Sequence, residues 1–310
     1  MKDRQKGIGG MSRRKIDERI FYWGILALPL LQFCLFWVGV NFNSILLALQ
    51  KIEVTAGQGT VYSWVGFANF SKCFDLLAND TLLKMCFKNS MISYLFGVFF
   101  GTGFSLFFSY YIYKNKLCSN FFKIMLFIPS IISSVAMVVM FEYFVENAYP
   151  AIMSSVFNKT VSGLLAESKT AFWTILFYNL WAGFGGGILL YLGEMNTISD
   201  SVVEAAYLDG ITPVKEFFLI TLPLIYKTLC VFLVTGMAGF FNNTMNLYTF
   251  YGERVDSRLF TYGHYMFINT KNGITNYPMM AALGLIFTII IAPITLVSRW
   301  LFAKFGPSVE

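Results

Sequence analysis

Charged side chains are scarce in this chain of 310 residues. They make up 13% of it, whereas soluble domains carry about 25%. Hydrophobic residues account for 56%, and the mean hydropathy is +0.61. A water-soluble fold of this length could not bury so much apolar surface. The composition therefore predicts an all-α, polytopic membrane protein, because helices satisfy their own backbone hydrogen bonds in hydrocarbon.

The residues and motifs of common catalytic and metal sites are also missing. The chain has no G-x-x-x-x-G-K-[ST] sequence, so it cannot supply a phosphate-binding loop of that kind. It has one histidine, and its five cysteines show no metal-ligand spacing. Cys73 and Cys86 fall in one predicted external loop and could pair, although buried free thiols are the simpler interpretation. We therefore expect no catalytic residues, no metal and no cofactor.

Six apolar segments are long enough to cross a bilayer, which needs about 20 residues. They lie at 22–49, 90–113, 123–145, 171–193, 224–250 and 279–302. Two glycine pairs lie four residues apart, Gly97 with Gly101 and Gly183 with Gly187. Each pair shares one helix face, which favours close helix packing first and a hinge or pore lining second.

Basic residues cluster in the N-terminal arm and in the link with Lys114, Lys116 and Lys123. The positive-inside rule then predicts that both termini are cytoplasmic. A basic arm directly before an apolar helix is more typical of such a flank than of nucleic-acid binding, so no nucleic-acid partner is expected. We expect three regions: an arm at 1–19, a transmembrane domain at 20–305 and a tail at 306–310.

One polar segment, at 199–223, interrupts the apolar chain, and it is predicted to be a helix–turn–helix on the cytoplasmic side. Ser199 or Asp200 can cap the first helix, and Gly210 can end it. Thr212 can cap the second helix, with Pro213 at its first position and Glu216 in its first turn.

The charge of this segment bears on what it contacts. It carries one lysine against four acids, whereas helices lying on lipid are usually rich in basic residues. Ala205 and Ala206 give the first helix little side-chain bulk, and Glu204 and Asp209 flank them. Docking in a groove of a soluble protein is favoured, and an amphipathic helix resting on lipid is the alternative.

The order Glu204-Ala205-Ala206, Asp209-Gly210 and Ile220-Thr221-Leu222-Pro223 resembles the EAA loop of ABC-importer permeases. We call residues 199–223 the EAA loop. Other stretches are similar to carbohydrate-type permeases, above all to the larger maltose-type subunit. They are WVGFANF from Trp64, Asn89-Ser90, LFIPSIISSVA from Leu126, LWAGFGGGILLYLGEMNTIS from Leu180, and FFNN from Phe240.

This resemblance spans roughly residues 20–305 and implies a type I ABC importer permease fold in the cell membrane. It implies three kinds of protein partner: a second permease, cytoplasmic ATP-binding subunits and an extracytoplasmic solute-binding protein. It also implies a sugar or oligosaccharide as cargo. The residues implied to couple the chain to the ATPase are Glu204, Ala205, Ala206, Asp209 and Gly210.

Polar and aromatic residues on the fourth and fifth segments are candidates for the substrate path. Carbohydrates bind through many hydrogen bonds and through aromatic faces, and an intramembrane amide needs a partner. Asn243, at the FFNN position, is the preferred residue, and for every candidate the alternative is hydrogen bonding between helices. The other candidates are Asn242, Asn246, Tyr248, Asn179 and Trp181. A non-sugar cargo or a secondary carrier is the alternative function.

Overall fold

The computed structural model describes residues 6–55 and 59–307. The chain divides into two compact units, one from 1–73 with 273–285 and one from 74–272 with 286–310. In the first unit, helix α1 (Lys6–Gln32) continues through a π-helical turn at Phe33–Val38 into α2 (Gly39–Ala48). The large apolar side chains from Ile20 to Val40 are exposed, as a lipid-facing span requires.

A β-hairpin follows the first span, which the sequence did not predict. Strands β1 (Gln50–Thr55) and β2 (Gly59–Trp64) pair antiparallel, with Ile52 opposite Tyr62. The amide of Asn69 donates to the carbonyl oxygens of Ala48 at 2.9 Å and Gln50 at 2.7 Å, and so fixes the start of the hairpin.

The remaining helices follow in chain order. They are α3 (Ala68–Asn79), α4 (Thr81–Phe96), α5 (Gly103–Tyr113), α6 (Ser119–Ile131), α7 (Ser134–Tyr143), α8 (Tyr149–Phe157), α9 (Ser168–Met195), α10 (Asp200–Leu208), α11 (Pro213–Glu216), α12 (Leu222–Leu224), α13 (Tyr226–Ala238), α14 (Leu247–Tyr251), α15 (Tyr262–Lys271) and α16 (Tyr277–Phe305). Further π-helical turns lie at Gly97–Thr102, Phe144–Ala148 and Phe217–Thr221, and 3-10 turns lie at Ser257–Leu259 and Ile274–Asn276.

Helix α9 is the centre of the second unit, where α5 and α6 pack against it. A methyl group at Gly185 would stand 2.2 Å from the Leu126 carbonyl oxygen, so α6 approaches closely only because this residue is glycine. The hydroxyl of Ser109 on α5 donates to the Ile188 carbonyl oxygen at 2.9 Å. A buried cluster that includes Ile175, Tyr178, Met245 and Phe250 completes the core.

Four predicted spans are confirmed as continuous helical stretches among the described residues: Glu18–Ala48, Thr81–Tyr113, Ser168–Met195 and Ile274–Phe305. The third predicted span, 123–145, corresponds to a pair of helices with a sharp bend between them. Helices Ser119–Ile131 and Ser134–Phe157 meet at 104°, because Pro129 cannot donate a helical hydrogen bond and Ile132 is extended. Within residues 6–55 and 59–307, the count is therefore four helices long and apolar enough to cross a membrane, or up to six if each bent pair is one span.

The predicted extent of the fifth span, 224–250, is wrong at its C-terminal end. Helices Pro213–Leu224 and Tyr226–Ala238 meet at 72°, next to Pro223. The helix then ends at Ala238, and residues 239–246 form turns. Met245 and Asn246 adopt positive φ, and the side-chain oxygen of Asn243 accepts from the Met245 amide at 2.9 Å. Such local bonds compete with helix formation.

Candidate functional site

The EAA loop is a helix–turn–helix, as the sequence predicts. Helix α10 ends where Gly210 adopts φ +72°, a left-handed conformation that glycine accepts without strain. The Gly210 amide donates to the Tyr207 carbonyl oxygen at 3.0 Å, and the Ile211 amide donates to that of Ala206 at 3.1 Å. These bonds close the turn before α11 begins at Pro213.

The capping positions are correct, but the predicted side-chain caps are not formed. Ser199 and Thr212 precede their helices with extended backbone, and neither side chain accepts a hydrogen bond from a helix amide. The Ser199 hydroxyl instead lies 2.6 Å from that of Ser201.

The exposed face of α10 differs from the predicted small patch. Glu204, Ala205 and Asp209 are exposed, but Ala206 is 4% exposed and faces the chain's own interior. Tyr207 and Leu208, which the sequence analysis missed, are 81% and 85% exposed. The signal was present, because two large apolar residues directly follow the alanines in a polar segment.

A cavity of about 380 Å³ lies within the second unit, between α4, α5, α9 and the turn after α13. Two predicted path residues, Asn179 and Asn243, line it together. Gly97 and Gly183 also line it and have open space beside them, whereas a methyl group at Gly187 would lie 2.8 Å from Ser105 Oγ. Other lining residues include Ser93, Phe96, Thr102, Ser105, Tyr191 and Phe232.

The two asparagines of the cavity also hold the fold together. Asn243 Nδ2 donates to Ser93 Oγ at 3.0 Å. Asn179 Nδ2 donates to the Met245 carbonyl oxygen at 3.0 Å, and its Oδ1 accepts from Asn246 Nδ2 at 2.8 Å. Hydrogen bonding between elements, the alternative left open for these amides, is therefore present, and the cavity lining is present with it.

Asn89 and Ser90 extend this network to the segment before α15. Asn89 Nδ2 donates at 2.9 Å to the carbonyl oxygens of Arg258 and Phe260, and Ser90 Oγ accepts from the Tyr262 amide at 3.1 Å. We call Asn89, Ser90, Ser93, Asn179, Asn243 and Asn246 the amide cluster. A methyl group at Gly263 would lie 2.6 Å from Asn242 backbone atoms, so α15 packs directly on the FFNN turn.

Three other predicted path residues lie elsewhere. Trp181 lines a separate apolar cavity of about 300 Å³ with Met137 and Phe141 among its walls. Tyr248 contacts Lys271 and packs against Phe267, and Asn242 is exposed. Asn179 and Trp181 point in different directions because residues two apart on a helix do not share a face.

The titratable groups near the amide cluster are structural in their contacts. Ser168 and Arg258 hydrogen-bond to Asp256, and Arg258 in particular holds the pKa of that carboxyl well below its usual range. His264 is buried, and burial lowers the pKa of its imidazole to about 4. All five cysteines are free thiols, and the described residues contain no group of three or more metal-ligating side chains.

A helical membrane bundle with a polar helix–turn–helix and an uncharged cavity that contains asparagine and serine side chains is an architecture expected of a membrane permease. The family model for the binding-protein-dependent transport system inner membrane component matches residues 93–310, which is most of the chain. The protein belongs to this family, whose members are membrane components of transport systems and not enzymes.

Several curated proteins are similar to parts of the chain. The probable ABC transporter permease protein MG188 of Mycoplasma genitalium is 34% identical over 128 residues, which cover 40% of this chain and 38% of that protein. The probable ABC transporter permease protein YesP of Bacillus subtilis is 28% identical over 175 residues, which cover 54% of this chain and 53% of YesP. The maltose/maltodextrin permease MalF of Escherichia coli K12 is 27% identical over 39% of this chain and 24% of MalF.

The fold is similar over nearly the whole chain to a solved structure. A permease chain of a bacterial ABC transporter, described as involved in import of the acidic polysaccharide alginate, superposes with a TM-score of 0.78. The match covers 96% of this chain and 100% of that one at 17% identity, which shows the type I importer permease fold.

Proposed function

We propose that this chain is one permease subunit of an ATP-driven importer and that it couples to a cytoplasmic ATPase through the EAA loop. It would work in the cell membrane with a second permease and an extracytoplasmic solute-binding protein. Both termini would then be cytoplasmic, in agreement with the basic arm and the basic link at 114–123.

The exposed face of α10 is the observation that carries this proposal. Tyr207 and Leu208 present large apolar surfaces from a loop whose other exposed residues include Glu204 and Asp209. Aromatic and aliphatic side chains that stay exposed beside charges are typical of a protein interface. The net acidic charge of the EAA loop disfavours adsorption on anionic lipid.

We infer that the cargo is a sugar or oligosaccharide. The described residues that line the 380 Å³ cavity are all uncharged, and they combine amides and hydroxyls with Phe96, Tyr191 and Phe232. Such a lining suits a neutral polyhydroxyl compound, which needs hydrogen bonds and flat apolar faces. The similarity to MalF, named as a maltose/maltodextrin permease, supports the same class.

A permease for another neutral solute is the second candidate, because the same lining could bind other polar molecules. The experiment compares uptake of radiolabelled maltose, maltotriose and alginate oligosaccharides by vesicles that contain this chain alone with uptake by vesicles that contain the assembled transporter and ATP. We expect ATP-dependent uptake of at least one probe by the assembly only. Uptake by the single chain without an ATPase would identify a secondary carrier instead.

A further inference from the structure

A buried ion pair joins the EAA loop to the inner end of the second span. Glu216, in α11, is 7% exposed, and the Lys114 ammonium group contacts its Oε1. The side chains of this pair are 18% and 10% exposed for Lys114 and Glu216 respectively. A buried carboxylate without a counter-charge is strongly unfavourable, so each residue requires the other.

Two more contacts join the same short segments. The Tyr110 hydroxyl donates to the Pro213 carbonyl oxygen at 2.8 Å, and the rings of Tyr110 and Phe217 lie 5.0 Å apart. Lys114 itself lies at the C-terminal end of α5, where a cation is favoured. Its Nζ lies 5.8 Å and 5.4 Å from the ring centroids of Tyr110 and Tyr113.

The helical stretch Thr81–Tyr113, which ends next to Lys114, also lines the 380 Å³ cavity. Gly97, Gly101 and Ser105 lie four residues apart on one face of the span Thr81–Tyr113, and all three are cavity residues. Lys114 is 13 residues beyond Gly101, which corresponds to about 20 Å of helix. The contacts with α11 and the cavity wall therefore lie on one continuous helical stretch.

We propose that Lys114 and Glu216 are positioning residues that transmit movement of the EAA loop to the second span. This inference rests on the proposed function, because the movement would come from the ATPase. The ion pair, the hydrogen bond and the aromatic contact together connect the segment around α11 to the end of α5. Within this connection, the ion pair fixes the direction in which α5 follows α11. Without the pair, the ATPase still docks on α10, but the cavity wall no longer follows it.

The experiment measures the reactivity of a cysteine in the cavity wall. Thr102→Cys is placed in a chain whose five native cysteines are replaced by alanine, and the assembled transporter is labelled with a water-soluble maleimide with and without ATP. In this background we expect ATP to change the labelling rate at least threefold. Lys114→Met and Glu216→Gln should remove that change, although the ATPase still co-purifies.

Matched variants separate transmission from folding. Lys114→Arg keeps the charge and reach and should retain the ATP-dependent change. Lys116→Met and Lys215→Met remove exposed lysines beside the pair and should also retain it. An unchanged ATP response in Lys114→Met would overturn the inference. Loss of ATPase co-purification in both Lys114→Met and Glu216→Gln, but not in Lys114→Arg, would also overturn it, since the pair would then serve docking.

The outcome for the proposed function is distinct. If no ATP-hydrolysing protein co-purifies with the chain that retains Lys114 and Glu216, the proposed function fails, and the inference fails with it. If the ATPase co-purifies and Lys114→Met still responds to ATP, only the transmission role of the pair is rejected.

Discussion

The amide cluster and the EAA loop are both polar regions of an apolar chain, but they use their polar groups in opposite ways. In the amide cluster the asparagine side chains bond to backbone and side-chain atoms of other elements, such as Asn89 with the Arg258 and Phe260 carbonyl oxygens. In the EAA loop the expected caps are unmade, and Tyr207 and Leu208 remain exposed. The cluster therefore joins different elements of the chain, whereas the first helix of the loop keeps two large apolar side chains exposed.

The strongest effect on transport is predicted for a substitution in the turn of the EAA loop. Gly210→Pro forces φ near −65° at a residue that adopts +72°, and it removes the amide that donates to Tyr207. We expect ATP-driven uptake to fall at least about tenfold, while the protein stays in the membrane, because helix α10 loses its orientation. Vesicle uptake and membrane protein level are the measurements.

Gly210→Asn is the matched control, because asparagine tolerates the left-handed conformation. It should keep most of the uptake. Equal uptake by the proline variant and the unmodified chain would show that the turn is irrelevant to coupling.

A second prediction concerns the stability that the amide cluster gives to the fold. Asn89→Ala leaves two carbonyl oxygens without their donor, and the midpoint of thermal unfolding in detergent should fall by the equivalent of about 1–3 kcal/mol. Asn147→Ala is the control, since Asn147 is exposed and makes only a 3.4 Å contact with Tyr143 of its own helix. Equal stability of both variants would mean that the cluster does not hold α15.

A third prediction uses His264, which packs beside the cluster. Burial lowers the pKa of its imidazole from an ordinary value of about 6.5 to about 4. As the pH falls, His264 is therefore protonated in the unfolded chain at a higher pH than in the folded chain. Its contribution to the free energy of unfolding is fully present above about pH 6.5. It should fall by about 1 kcal/mol per pH unit between pH 6 and pH 4.

His264→Phe keeps a ring of similar shape and removes the titration. The difference between the pH profiles of the two proteins, followed by thermal unfolding, isolates the histidine contribution. Parallel profiles would contradict the assignment of a buried neutral imidazole.

The weakest effect is predicted at Asn243, which belongs to the amide cluster and also lines the 380 Å³ cavity. Asn243→Ala removes a lining amide, and we expect the KM for the transported sugar to rise about threefold to tenfold, the range for one lost hydrogen bond. ATPase association should be unchanged. Asn242→Ala should alter the KM less, because Asn242 is not among the residues that line the cavity. Loss of ATPase association in Asn243→Ala would make its role purely structural.

Local patterns predicted much of the fold and of the EAA loop. Hydropathy located four spans, and Gly210 and Pro213 marked the turn and the second helix correctly. Hydropathy could not show the bends near Pro129 and Pro223, because a broken span has the same composition as a straight one. It also missed the hairpin at 50–64, which is fixed by a side chain nineteen residues beyond Gln50.

Long-range contacts account for what the sequence could not show in the sites. Lys114 and Glu216 lie about a hundred residues apart, so their pairing is visible only in the fold. Trp181 was grouped with Asn179 because both lie on the fourth apolar segment, but helical geometry points them into different cavities. Ala206 was expected at an interface and is instead buried, since neighbouring residues on a helix face different directions.

The central claim, that the EAA loop binds an ATPase on the cytoplasmic side, is tested most directly by cross-linking from Ala205→Cys in intact cells and inverted vesicles. We predict labelling by an impermeant maleimide only in inverted vesicles, and a cross-link to an ATP-hydrolysing protein. A cysteine at Val54, in the hairpin, should form no such cross-link. Labelling of Ala205→Cys from outside intact cells, or its failure to capture an ATPase in the assembled transporter, would contradict the account.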